Sequence, residues 1–106
     1  MAIIEKKEDL AHHSTVLLVG GNGGMSDRYR AVAEERGLEL RHFEKRVPAG
    51  VRKGMGHVAA VFIVVGMVSH ALRDQVRALV PDDAPIVYLR TASVSALRAA
   101  VQELAA

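Results

Sequence analysis

The chain has 106 residues, half of them hydrophobic and a quarter charged, with a net charge of +2 and no cysteine. That length gives room for one core. The missing cysteine excludes disulfides, thiolate metal sites, cysteine nucleophiles and covalent c-type haem attachment, and so small a charge makes nucleic acid an unexpected partner.

Met1 to Ser14 is polar with an isolated Ile3-Ile4. It reads as an N-terminal arm (1–14), with a helical turn around Glu5 to Ala11 that packs on a partner subunit. The opening AIIEKKEDL is too acidic for a signal peptide and no apolar run reaches membrane-spanning length, so no membrane association and a cytoplasmic location are expected. Residues 15–106 form a single α/β domain.

Thr15 to Val19 (TVLLV) is β-branched and apolar on both faces, the pattern of a strand covered on both sides. Gly20-Gly21-Asn22-Gly23-Gly24 follows as a loop rich in residues that take positive φ. Ser26 is a candidate N-cap, Asp27 places a negative charge in the first turn, and Tyr29, Val32 and Ala33 share one helical face. Gly37 sits where a C′ residue ends the helix.

Leu38 to Phe43 alternates, with Leu38, Leu40 and His42 on one side and Glu39, Arg41 and Phe43 on the other. That suits the edge of a sheet. Glu44 to His57 is punctuated by Pro48, Gly50, Gly54 and Gly56 and reads as loop, with at most a short helix across Val51 to Met55. Lys45, Arg46, Arg52 and Lys53 make a local basic patch whose ordinary explanation is solvation.

Val58 to Val65 (VAAVFIVV) is the most apolar run and the expected central strand. After Gly66, Ser69 caps a helix with Leu72, Val76, Leu79 and Val80 on its apolar stripe. Pro81 to Pro85 is a turn, Ile86 to Leu89 a fourth strand, and Val94, Leu97, Val101 and Leu104 the buried side of a last helix. This alternation predicts right-handed crossovers and a three-layer, four-stranded parallel sheet, Rossmann-like or flavodoxin-like. Its order is 2-1-3-4 if the two most apolar strands are central. The switch point then lies between strands one and three, where such sheets bind ligands.

Several of these elements together resemble a bacterial family of uncharacterised proteins, the one numbered 2325 among the domains of unknown function. They are Gly20-Gly21, Tyr29-Arg30, Gly37, His42 ending strand two, Val68-Ser69-His70 before helix three, and Leu89-Arg90-Thr91 after strand four. The likeness runs from Val16 to about Leu104. It departs in a longer Gly21 to Tyr29 loop and a less helical segment between strands two and three. The resemblance implies a Rossmann-like or flavodoxin-like domain and suggests haem binding through histidine.

Five histidines (12, 13, 42, 57 and 70) are the chain's main candidate ligands. His42 and His70 both fall at the carboxyl edge, two strands apart, which is roughly 10 Å. That spans a flat macrocycle more readily than a small ion. His70 falls at a helix N-terminus, and the neutral imidazole is the form that binds metal or haem iron. The same residues also have plain structural uses, Ser69-His70 in satisfying helix-end amides and His42 in ending a strand. Met67, with Met55, Phe43 and Phe62, offers apolar walls, and Arg90 points toward the same edge, where it can hold acidic groups such as haem propionates.

The leading expectation is a small haem-binding protein without enzymatic activity. It carries haem b, or failing that a divalent metal ion, on His70 and His42, with Ser69, Met67, Arg90, Gly20 and Gly21 around it. It acts as an oxygen or gas carrier or sensor. So small a domain has no interior for a macrocycle, which favours a homodimer. The alternative is a flavodoxin-like nucleotide- or phosphate-binding regulatory module. It would use the Gly20 to Ser26 loop, which holds Gly21-x-Gly23-x-x-Ser26, and Arg90, with Glu44 where a ribose-binding acid belongs. A third reading is an interaction domain with no ligand.

Overall fold

The computed structural model describes residues 14–48, 50, 51, 55 and 57–105. The N-terminal arm, apart from Ser14, lies outside them, as do His12, His13, Arg52 and Lys53. The short helix expected across Val51 to Met55 falls mostly outside them too.

Four parallel strands, β1 (Thr15–Val19), β2 (Glu39–Phe43), β3 (Val58–Val64) and β4 (Ile86–Leu89), form one sheet in the order β2-β1-β3-β4. The two central strands are the two most apolar ones, the pattern of parallel strands covered on both faces. In β1 all five residues are buried.

Three helices complete the layers: α1 (Ser26–Glu34), α2 (His70–Leu79) and α3 (Val94–Ala105). Alternation along the strands sorts their side chains into two cores. Val16, Leu18, Leu40, Ala60, Phe62 and Val64 pack against Tyr29, Val32 and Ala33 of α1 and Leu97 and Val101 of α3. Leu17, Val19, Phe43, Val61 and Ile63 pack against Leu72 and Val76 of α2. One face of the sheet therefore carries two helices and the other carries one. The domain is an α/β three-layer sandwich with a Rossmann-like sheet.

Local signals place the helix ends. Ser69 Oγ accepts the Leu72 N–H at 3.1 Å and caps α2. Gly37 takes φ +72 after α1, while Leu38 N–H reaches back to the Ala33 carbonyl, so the chain turns directly into β2. Ser26 differs from the expected cap. It is the first residue of α1, and a 3-10 turn over Gly23–Met25, capped by the Asn22 side chain, precedes it. No helix among the described residues is long and apolar enough to cross a membrane.

Candidate functional site

The carboxyl edge is built from the turns that follow the four strands. The first and third touch at the switch point. Gly20 has φ +92, and a Cβ there would lie 2.9 Å from Val68 Cγ2 and 3.4 Å from Met67 Cβ. Gly21, at φ +84, would place a Cβ 3.3 Å from both His42 Nε2 and the Tyr29 hydroxyl. The glycine pair is thus demanded twice, by backbone conformation and by side chains already packed against it.

His42 projects from β2 into this turn with both ring nitrogens bonded. Nε2 lies 2.6 Å from the Gly20 carbonyl oxygen and Nδ1 lies 2.6 Å from Ser26 Oγ. A carbonyl only accepts, so Nε2 carries the hydrogen. Tyr29 stands edge-on to the ring at 5.2 Å between centroids. Its hydroxyl donates to the Ala92 carbonyl at 2.7 Å and accepts the Asn22 N–H at 3.3 Å. Tyr29 therefore ties the turn after β1 to the turn after β4. Sequence reasoning placed Tyr29 only in the core. The signal it passed over is that a buried tyrosine needs a partner for its hydroxyl.

Several other amides of the glycine loop are also engaged. Gly20 N–H donates to the Phe43 carbonyl, Gly24 N–H to Asn22 Oδ1, Met25 N–H to the Asn22 carbonyl, and Ser26 N–H to the Gly23 carbonyl. A phosphate cradle needs such amides free and convergent. Glu44 leans over the same loop, since a Cβ on Gly23 would fall 2.5 Å from its Oε1. A carboxylate in that position opposes a phosphate.

His70 is in the opposite situation. It opens α2, is exposed, and its imidazole makes no hydrogen bond to any other described residue. At about 100° per residue it lies on the side of α2 away from Leu72 and Val76, which face the sheet, so it points outward from the α2 layer. Around the rim of the sheet are two of the three large exposed apolar residues among those described, Val65 at 53% and Met67 at 49%. The third, Tyr88 at 51%, pairs in register with Ile63 and so stands on the face covered by α2 alone. Arg90 is exposed at the end of β4, next to Val65, whose N–H donates to the Leu89 carbonyl.

Of the expected walls, only Met67 is open. Phe62 and Phe43 are core residues and Met55 packs against the α2-side core. His57 is exposed at the start of β3, at the other end of the strands. The edge thus brings His70, Met67, Ser69 and Arg90 to one rim. His42, Gly20 and Gly21 form a separate, internally bonded cluster. Two surface grooves lie elsewhere, one along Val47, Val51, Gln75 and Leu79, the other along Arg77, Val80, Pro81 and Ile86.

The chain belongs to a family described as uncharacterised proteins conserved in bacteria (DUF2325), whose sequence profile matches residues 15–104. It matches no curated protein.

Proposed function

We propose that the protein binds haem b through His70, on the rim formed by the turn after β3. What carries this reading is the pairing of an exposed imidazole, without a hydrogen bond among the described residues, with exposed Val65 and Met67 on one short turn. A porphyrin supplies four ligands of its own, so one imidazole from the chain suffices, whereas a bare divalent ion in a protein site usually takes three or four. The apolar rim residues suit the macrocycle face, and Arg90 suits a propionate by a charge-assisted hydrogen bond. Bound haem would supply an iron with one open position for oxygen or another gas.

His42 is not part of this ligand set. Each of its nitrogens would have to give up a 2.6 Å hydrogen bond before it could bind a metal. The nucleotide reading has less support than haem, because the amides of Gly20, Asn22, Gly24 and Ser26 are already hydrogen-bonded and the Glu44 carboxylate leans over the loop.

His70 is exposed, so one copy leaves a macrocycle open to water. A homodimer, with the second copy covering the outer face of the haem, completes the reading, and a cytoplasmic location goes with it. Titration with haemin tests it: a saturable Soret shift in the intact chain that is lost in His70→Ala is the expected result. No shift, or one unchanged in His70→Ala, overturns it.

A further inference from the structure

We propose that Ser26 and His42 form a nucleophile–base pair able to take an acyl group from a small ester, at a site separate from His70. This departs from the expectation of a protein without catalytic activity. The residues lie sixteen apart in sequence and on different elements, α1 and β2, which is why no motif shows them.

The geometry has the parts such a pair requires. Ser26 Oγ lies 2.6 Å from His42 Nδ1 and 3.0 Å from the Gly23 carbonyl oxygen, two acceptors for one hydroxyl hydrogen, of which the shorter contact is to the ring. The ring is held from behind by the Gly20 carbonyl, 2.6 Å from Nε2. That carbonyl takes the place an aspartate has in a triad: it accepts only, so it fixes the hydrogen on Nε2 and, in the neutral ring, leaves Nδ1 as the acceptor. Among the described residues the partner of Nδ1 is the Ser26 hydroxyl. Tyr29, edge-on to the ring and anchored through its own hydroxyl, restricts the imidazole further.

Ser26 is half-buried, and opens a nine-residue helix. The helix end favours negative charge near Oγ, although Asp27, paired with Arg30 at 2.6 Å, offsets part of that. On the adjoining turn Asn22 uses Oδ1 to accept the Gly24 N–H, and its Nδ2 is the oxyanion donor assigned to the site, working against the Glu44 carboxylate that leans over Gly23. Ser26 is flanked by the exposed Gly24 and Asp27, and a short acyl group is the substrate assigned to it.

In the step, Ser26 Oγ bonds to the ester carbonyl carbon while its proton passes to His42 Nδ1. The carbonyl π pair moves onto oxygen. Collapse of that adduct breaks the bond to the alkoxide, which takes the proton from Nδ1. Water then attacks the acyl-serine with Nδ1 as its base, returning Ser26 and releasing the acid. No oxidant or second cofactor is needed.

Reaction of the intact protein with a small alkyl fluorophosphonate, followed by peptide mass mapping, tests the pair. Labelling at Ser26 about a hundredfold or more faster than at the exposed Ser69 and Ser93 is expected, falling by a similar factor in His42→Gln, since a general base is worth that much or more. Turnover of p-nitrophenyl acetate is expected to drop in Ser26→Ala by the same order. Labelling of Ser26 no faster than of Ser69 and Ser93 overturns the proposal, as does a folded His42→Gln that labels like the parent. Should His42→Gln not fold, the comparison of serines within the parent chain decides.

Discussion

Gly20 and Val68 approach so closely that a single methyl group on the glycine would lie 2.9 Å from Val68 Cγ2. The turn after β1 and the turn after β3 are therefore packed backbone against side chain at the point where the sheet's connections diverge. Everything proposed for the carboxyl edge depends on that contact being kept.

It makes Gly20 the most sensitive glycine at the edge. Gly20→Ala adds a strained positive φ (about 1 kcal/mol or more) to overpacking worth about 1–3 kcal/mol. Gly66 also has positive φ, at +88, but nothing lies within 4 Å of its would-be Cβ. Gly66→Ala is expected to cost only about 1 kcal/mol. Urea melts of the two variants should differ in midpoint in that order, and equal midpoints would remove the packing argument.

His42 and His70 should separate cleanly. His70→Ala is expected to leave the melting temperature nearly unchanged and to abolish the haemin Soret shift. His42→Ala is expected to keep the shift while losing about 2 kcal/mol, from two hydrogen bonds of about 1 kcal/mol each. Haemin titration and denaturant melts on the same two proteins check both. A Soret shift lost in a folded His42→Ala would return His42 to the ligand set.

The apolar rim has its own consequence. Val65 and Met67 are half exposed, so replacing both by serine should cost little stability. Removing two apolar contacts from a ligand should weaken haemin binding by about tenfold or more, at about 1 kcal/mol or more for each side chain. Unchanged affinity would move the haem elsewhere on the surface.

Tyr29→Phe tests the strut. It deletes the hydroxyl that joins Ala92 to Asn22, and the Ala92 carbonyl then loses its 2.7 Å donor. About 1–3 kcal/mol should be lost, with faster amide exchange at Asn22 than in the parent.

Thr15 is wholly buried and its hydroxyl has no partner among the described residues. Thr15→Val keeps the shape and removes an unsatisfied polar atom, so stability should rise by about 1 kcal/mol. A drop would show that Oγ1 does have a partner.

The four strands, their central and edge places, and the buried stripes of the helices were legible in the amino-acid order. Those features rest on local apolar periodicity, which each segment carries by itself. Phe43 and Leu40 fall on the sides that alternation assigns them, Ser69 caps α2, and Gly37 ends α1. His70 was also legible as a helix-opening residue at the carboxyl edge.

Only the tertiary structure decided which of the two edge histidines is free. His42 lies in a strand and His70 opens a helix, but neither local setting says which ring has hydrogen-bond partners. The difference comes from Gly20 and Ser26, brought to both nitrogens of His42 by the pairing of β1 with β2 and by the turn leading into α1. Hydrogen bonds between residues 16 and 22 positions apart have no periodicity to betray them. They exist because a parallel sheet aligns its carboxyl ends, so the turn after one strand meets the side chain ending the next.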